Sequence, residues 1–356
     1  TCSEQYNLEQ LRQKHVDETD TDKIILVNPT DWNYKEYRGN FQPVKTAAIV
    51  QKSAYKTSLI SPFLASAKHE LIVSTIKEEP QDIANFIQGK ILEINANYLT
   101  IIAAIDIPHK MEVIIPGIDY QIYNALDSQL YADTNGDYMP DIAVGRIWGV
   151  SSSDVSTYLA KVLFYNNFEK ENNMKFMASS FFSMIDLATR WSAGFNDAGY
   201  NAIAVTSEEQ TYNFDPAEWE NQDLIVYQDH GSTPWAGISS RDMPLLDNSM
   251  VVANACLTCH LLDHRIFPLS FCVTAMKQGA VGYVGSVSLT GGQDQFFIDL
   301  LNNIYYYGLS LGESFSTAVS FSESEGLLGR SMIFLGDQTL NVNPHYKLQE
   351  KLIRYY

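Results

Sequence analysis

Two apolar runs decide the fold of this chain: Asp223-Leu-Ile-Val-Tyr-Gln-Asp-His230-Gly231 and Met250-Val-Val-Ala-Asn-Ala-Cys256. Short apolar runs bounded by turn residues are typical of strands inside a parallel sheet, which is covered on both faces. Ligands and chemistry collect at the carboxyl ends of the strands in such sheets. We therefore expect His230 and Cys256 to lie at one edge of one sheet, where a histidine can serve a cysteine nucleophile as its base.

Strand and helix patterns alternate along the rest of the chain. Further strands are predicted at 24–28, 47–51, 71–76, 98–107, 113–115, 175–181, 202–206 and 281–285. Helical spacing of apolar residues lies between many of them, for example after Pro80 and after Ser153. This alternation predicts an α/β fold of mostly parallel sheets flanked by helices. A boundary near 148–152 divides it into two subdomains, residues 1–150 and 151–356.

Composition limits the class of protein and its partners. The chain has 356 residues, of which 46% are hydrophobic, so it can bury a large core. Its net charge of -18 argues against nucleic acids and anionic membranes as partners, because their phosphates would be repelled. No apolar run approaches the roughly 20 residues of a membrane helix. Because the chain opens at Thr1 without a Met, we expect a mature or excised piece of a longer product.

Three of the four cysteines are close together in the sequence, and Cys256-Leu-Thr-Cys259 has CxxC spacing followed by His260 and His264. This spacing allows a zinc or redox site. A four-ligand zinc site normally takes a second ligand pair from a separate loop, whereas here all candidates lie in one short segment. Cys272 fits the apolar face of a helix. We therefore expect no disulfide framework and a structural role for Cys259 in the turn after Cys256.

The segment 133–141 is rich in side-chain oxygens. Asp133, Asn135 and Asp137 occupy alternate positions, and Gly136 allows a tight turn. Hard cations such as calcium prefer such oxygen clusters, so a structural Ca²⁺ site is one interpretation. The match to a helix-loop-helix calcium loop is incomplete, because the sixth and twelfth positions do not carry Gly and Glu. The alternative is an ordinary turn, since Asp, Asn and Gly favour turns on their own.

Four segments of the sequence resemble the gingipain family of cysteine peptidases, which has a caspase-like fold. They are Tyr227–Trp235, Asn254–Cys256 with the Gly-rich strand that follows, Pro140–Arg146 and Leu335–Leu340, where Gln338 stands in place of a proline. A His-Gly or an Ala-Cys pair alone is a weak signal, but four segments in the right order are fairly specific. The resemblance covers roughly residues 98–342.

The resemblance implies endopeptidase chemistry on protein or peptide substrates. Cys256 would attack the scissile carbonyl, and His230 would protonate the leaving amine. The backbone N–H groups of Gly231 and Cys256 would form the oxyanion hole. No cofactor is needed for this chemistry. Members of the family are exported, so an extracellular or cell-surface location is expected.

The sequence departs from the family pattern around the substrate. The family places an acid that orients the histidine near the end of the strand that reads 175–183 here, and this strand carries none. Asp229 is a poor substitute, because alternation along a strand would point it to the opposite side. Asp186 is the candidate acid of the primary specificity pocket, where it would favour a basic P1 residue. Trp235 and Ser286 are further candidate substrate-binding residues.

Two alternatives from other functional classes remain. One is a catalytically silent relative that keeps the fold as a scaffold or binding protein; the missing acid favours it, while the retention of both His230 and Cys256 opposes it. The other is a metal or redox protein built on the CxxC pair. We predict that peptidase activity depends on Cys256 and His230 but not on Cys259.

Overall fold

The computed structural model describes residues 22–27, 60–75, 80–102, 111–113, 123–125, 130–137, 139–148, 152–168, 170–178, 182–206, 219–231, 234–235, 238–259, 270–287, 294–322 and 332–342. The strands are β1 (Lys23–Val27), β2 (Leu71–Ser74), β3 (Tyr98–Ile102), β4 (Met111–Val113), β5 (Tyr123–Ala125), β6 (Ala143–Ile147), β7 (Asn173–Met177), β8 (Asn201–Val205), β9 (Leu224–Gln228), β10 (Pro234–Trp235), β11 (Ile238–Ser239), β12 (Met250–Asn254), β13 (Gly282–Ser286) and β14 (Met332–Gly336). The predicted strand at 47–51 lies outside the described residues.

The helices are α1 (Ser61–Lys68), α2 (Pro80–Ile94), α3 (Ser152–Leu163), α4 (Phe182–Asp197), α5 (Phe271–Lys277), α6 (Asp294–Tyr305) and α7 (Leu311–Ser322). Their positions follow from local sequence signals. Helix α1 begins at Ser61 with a proline in its first turn and ends at His69, whose φ of 55° is left-handed. Helix α2 buries Ile83, Ile87 and Ile91, which recur every four residues on one face.

Ten of these strands form one sheet in the order β2-β1-β3-β6-β14-β13-β12-β9-β7-β8. The first five run parallel to one another, and so do the last five. The two sets meet at the antiparallel pair β13–β14, so their carboxyl ends lie at opposite edges of the sheet. The mostly parallel α/β fold predicted from the sequence is confirmed, while the subdomain boundary near residue 150 stays a prediction.

An aromatic cluster packs helices α4 and α6 against one face of β7. The ring of Phe176 lies 5.9 Å from that of Trp191 and 5.5 Å from that of Phe195. Phe195 in turn meets Tyr305 edge to face at 5.2 Å. All four side chains are buried. Such aromatic pairs contribute about 0.5–1.5 kcal/mol each beyond the area they bury, so this cluster stabilises the packing of α4 and α6 on β7.

A buried polar cluster lies between the end of α1 and the residues that follow β14. Lys68 forms an ion pair with Asp337, and its Nζ also donates a hydrogen bond of 2.7 Å to Thr339 Oγ1. Glu70 is only 1% exposed. Burial, with a smaller contribution from the carboxylate of Asp337, raises the pKa of Glu70 to about 8. The folded protein therefore holds a proton on Glu70 at neutral pH.

Replacing Glu70 with glutamine should make the protein more stable above neutral pH. The unfolded glutamate ionises with a pKa of 4.5, far below the folded value of about 8. The stability that the folded-state proton contributes is therefore complete below pH 4.5 and is lost as the pH rises through 8. We expect Glu70→Gln to remove this decline and to raise the free energy of unfolding at pH 8 by roughly 2–4 kcal/mol.

Urea denaturation between pH 5 and pH 9 measures this difference. The matched control is Glu93→Gln, because Glu93 is a half-exposed glutamate paired with Lys90 on the surface of α2. The control should follow the wild-type pH dependence. If the free energy of unfolding changed with pH equally in Glu70→Gln and the wild type, Glu70 would not carry the proposed proton.

Candidate active site

His230 and Cys256 lie at the same level of the sheet. Strands β9 and β12 are parallel neighbours, and their last paired residues are Gln228 and Asn254. Each candidate residue stands two positions after the last pair, on the carboxyl side of its strand. The sequence prediction that these two residues share one sheet edge is confirmed. A parallel ladder explains it, because strands in register bring equivalent positions side by side.

The chain turns sharply directly after Cys256. Cys256 is half-buried and carries a thiol rather than a disulfide. The next residue, Leu257, has a φ of 58°, in the left-handed region that residues other than glycine seldom occupy. Backbone conformations of this kind are concentrated at functional sites, where the surrounding structure holds them in place. The turn leaves Cys256 at the end of the strand instead of continuing it.

Gly231 packs directly on the backbone of Cys256. A Cβ atom at Gly231 would lie 2.3 Å from the carbonyl oxygen of Cys256, 2.8 Å from its nitrogen and 2.7 Å from the Cβ of Ala255. Real Cβ atoms do not approach other atoms this closely, so the contact requires glycine. The two residues whose N–H groups are the predicted oxyanion donors are therefore in van der Waals contact.

The backbone of His230 is held by two side chains of its own segment. The hydroxyl of Tyr227 donates a hydrogen bond of 2.7 Å to the carbonyl oxygen of His230. The carboxylate of Asp229 accepts the backbone N–H of His230 at 2.6 Å. Tyr227 and Asp229 are buried, while His230 is exposed. Asp229 thus contacts the histidine through the main chain, a role that the alternation argument did not foresee.

A disulfide joins Cys259 to Cys272, with their Cα atoms 5.1 Å apart. The expectation of no disulfide is therefore wrong. The backbone N–H of Cys272 donates to the carbonyl oxygen of Thr258 at 3.2 Å, which brings the start of α5 beside the turn that follows Cys256. Spacing along the sequence does not reveal this return of the chain. The predicted structural role of Cys259 is confirmed, and Cys259 has no thiol to offer a CxxC metal or redox site.

The three predicted substrate-binding residues lie on three different elements. Asp186 lies on α4 with its side chain 51% exposed, and its carboxylate pairs with Arg190 one turn later at 3.0 Å. Ser286 is the last residue of β13 and is fully buried. Trp235 belongs to β10, whose backbone pairs with β11. Their roles in substrate binding stay predictions.

A row of buried polar residues below the site was missed by the sequence analysis. Gln228 and Asn254 are register partners, and Ser286 is level with them on β13. Gln228 is fully buried, and neither atom of its amide group has a hydrogen-bond partner among the described residues. Asn254 donates to the carboxylate of Asp294, at the start of α6, at 3.3 Å. Each of these apolar strands ends in a polar residue, and this shared feature of the sequence could have identified the row.

The predicted calcium loop is held by hydrogen bonds between its own side chains and backbone. Asp133 accepts from the N–H of Gly136 at 2.7 Å, and Asn135 accepts from the N–H of Asp137 at 2.9 Å. In the same way, the carboxylate of Asp137 accepts the N–H of Met139 at 2.9 Å. These bonds are those of an Asp/Asn turn. Within the part of the chain that the structure describes, no three His, Cys, Asp or Glu side chains form a metal-binding group, so calcium stays a prediction.

No helix within the described ranges is long and apolar enough to span a membrane. This finding covers α1 to α7.

A solved protease structure shares the fold of this chain. A structure described as "Structure of Protease" aligns with a TM-score of 0.64 and 14% identity, over 92% of this chain and 79% of that chain. The separase of a separase–securin complex from Saccharomyces cerevisiae aligns with a TM-score of 0.40 and 15% identity, over 56% of this chain and 14% of that chain. No curated protein matches the sequence.

Comparison with family-wide sequence patterns identifies the family. Residues 68–343 match the pattern of peptidase family C25. This range covers more than half of the chain and includes both His230 and Cys256. The gingipain resemblance seen in the sequence is confirmed by this match and by the caspase-like arrangement of the sheet. The chain therefore belongs to peptidase family C25, a family of cysteine peptidases.

Proposed function

We propose that this protein is a cysteine endopeptidase that cleaves peptide bonds with Cys256 and His230. The observation that carries the proposal is their placement side by side, two residues past the last register pair of β9 and β12. Either residue alone has an ordinary explanation, since cysteines are often buried in cores and histidines often end strands. The two together at the carboxyl edge of a parallel sheet form a nucleophile and its acid–base partner.

The proposed reaction proceeds in two halves. The thiol of Cys256 gives its proton to His230, and its sulfur attacks the scissile carbonyl carbon. The carbonyl oxygen becomes an oxyanion that accepts hydrogen bonds from the N–H groups of Gly231 and Cys256. The C–N bond then breaks as His230 gives a proton to the leaving amine. A thioester on Cys256 remains, and water hydrolyses it with His230 acting as base. The packing of Gly231 on Cys256 supports this pair of donors.

A basic P1 residue is the specificity that we propose, with Asp186 as its partner. Asp186 lies on α4, which follows β7 at the carboxyl edge of the sheet that also carries His230 and Cys256. Its ion pair with Arg190 is half-exposed, and such pairs contribute only about 0.2–1 kcal/mol. The guanidinium of a substrate arginine can therefore replace that of Arg190, because both bind a carboxylate in the same way.

Cleavage of a positional-scanning peptide library tests both proposals. The library is incubated with a mild reductant, with and without calcium, and with the wild type, Asp186→Asn and Asp197→Asn. Asp197 is an exposed residue at the far end of the same helix and serves as the matched control. We expect the wild type to cleave after Arg or Lys, and Asp186→Asn alone to lose this preference tenfold or more. Binding of calcium by the 133–141 loop should appear separately, as a higher stability of the protein when calcium is present. An unchanged P1 preference in Asp186→Asn would refute the role of Asp186. Silence of the wild type would favour the scaffold alternative.

The proposed location is extracellular or at the cell surface. The disulfide between Cys259 and Cys272 supports it, because disulfides form and persist in oxidising compartments and are rare in the cytosol. Cys256 remains a thiol beside that disulfide, as a nucleophile must. Detection of the Cys259–Cys272 bond in protein isolated from its native source would check this proposal, and its absence there would count against it.

A further inference from the structure

The regular ladder of β9 ends at Gln228, two residues before His230. The imidazole therefore projects from backbone that lies beyond the last register pair, and it is exposed to solvent. The strand 173–177 and the residues that follow it, up to Ser183, contain no acid that could hold the imidazole from the neighbouring strand. That segment therefore supplies no carboxylate to orient His230.

We propose that Tyr227 and Asp229 are positioning residues that hold His230 through its main chain. This proposal rests on the proposed peptidase function. Tyr227 binds the carbonyl oxygen of His230 at 2.7 Å, and Asp229 binds its N–H at 2.6 Å. Both backbone polar groups of the histidine are thus held by side chains that are themselves immobilised by burial, at 0% and 3% exposure. We call this pair of contacts the His230 clamp.

The two contacts of the clamp have different strengths. An ionised Asp229 makes the bond that it accepts from the N–H of His230 charge-assisted, and such bonds are roughly twice as strong as neutral ones. The bond from Tyr227 is neutral, but the ring that carries the hydroxyl is fully buried, which restricts its rotation. Together they fix the peptide groups on both sides of the His230 Cα atom. The direction of its Cα–Cβ bond follows from these two peptide planes.

A fixed direction matters most in the step that needs His230 as an acid. A displacement of about 1 Å at a catalytic group can cost about a hundredfold in rate. Protonation of an amine leaving group depends on that geometry, whereas expulsion of a good leaving group, such as the thiol of an activated thioester, does not require an acid. Loosening the clamp should therefore slow acylation of Cys256 by an amide much more than acylation by a thioester. A merely structural role of Tyr227 and Asp229 would slow acylation by both substrates alike.

The experiment compares kcat and KM for a peptide amide and for the matching peptidyl thioester. The variants are Tyr227→Phe, Asp229→Ala and Asp229→Asn, and the control is Tyr283→Phe, on an equally buried tyrosine of β13. We expect Tyr227→Phe and Asp229→Ala to lower kcat for the amide about 10- to 100-fold with KM unchanged. Their kcat/KM for the thioester, which measures acylation of Cys256 and not the later hydrolysis that uses His230 as base, should fall less than about threefold. Asp229→Asn keeps an oxygen acceptor and should recover most of the amide activity, and Tyr283→Phe should hydrolyse both substrates like the wild type.

Equal losses of kcat/KM for the amide and the thioester, or no loss in either variant, would overturn the clamp. If Asp229→Ala fails to fold, the comparison of Asp229→Asn with Tyr227→Phe still decides the question, since only the latter removes a clamp contact. If the wild type hydrolyses both substrates and the variants keep both activities, the peptidase proposal stands and the clamp is refuted. A wild type that hydrolyses neither would overturn the peptidase proposal, and the clamp with it.

Discussion

Replacing Cys256 with alanine should abolish peptide cleavage, with a loss in kcat of about 10,000-fold or more. The reason is that the sulfur of Cys256 is the atom proposed to form the covalent intermediate, and removing the nucleophile of a catalytic set costs nearly as much as removing the whole set. Stability should change little, because Cys256 is half-buried and lies in a turn. Steady-state hydrolysis of a fluorogenic peptide measures the loss.

The matched control for this prediction is the double variant Cys259→Ser/Cys272→Ser. It removes the two sulfur atoms of the disulfide and keeps the thiol of Cys256. We expect it to lose roughly 3 kcal/mol of stability, since it releases a short loop, and to retain cleavage below its unfolding temperature. Undiminished cleavage by Cys256→Ala would refute the peptidase assignment. A double variant that folds but is inactive would refute the prediction that activity does not depend on Cys259.

Replacing Gly231 with alanine should lower kcat about 100- to 1,000-fold in a protein that still folds. The added Cβ would lie 2.3 Å from the carbonyl oxygen of Cys256 and 2.8 Å from its nitrogen, so the backbone at residue 231 has to move away. That movement separates the two N–H groups proposed to bind the oxyanion, and the loss of one such donor typically costs this much. The measurement is kcat for the same peptide, together with the thermal midpoint.

Gly89→Ala is the matched control for this second prediction. Gly89 lies within α2, and a Cβ atom there would have nothing within 4 Å. Alanine is the better helix former by about 1 kcal/mol, so this variant should be slightly more stable and fully active. If Gly231→Ala were as active as Gly89→Ala, the contact between Gly231 and Cys256 would have no part in catalysis.

The positions of the two candidate catalytic residues were accessible from the sequence. The apolar runs before His230 and Cys256 each form a five-residue strand, and in a parallel ladder the ends of neighbouring strands meet at one edge. The two strands can be predicted because each apolar run is short, continuous and bounded by turn residues. The expectation that His230 and Cys256 would be adjacent needed no knowledge of the rest of the chain.

Other features were not accessible because they depend on contacts between distant segments. The insertion of β14 between β6 and β13 joins two sets of strands into one sheet, and nothing in the sequence Met332–Gly336 specifies its partners. The disulfide required Cys272 to return beside Cys259. The hydrogen bond that the N–H of His230 donates to Asp229 depends on the backbone leaving the strand after Gln228, which alternation along a strand does not describe.

Covalent capture of the nucleophile identifies the residue that attacks the substrate. The protein is treated with a peptidyl acyloxymethyl ketone that carries arginine at P1, and the modified residue is identified by mass spectrometry of its peptides. We expect a single adduct, on the sulfur of Cys256, which forms more slowly in the presence of a competing peptide substrate. An adduct on any other residue, or none in a preparation that cleaves peptides, would contradict the claim that Cys256 is the nucleophile.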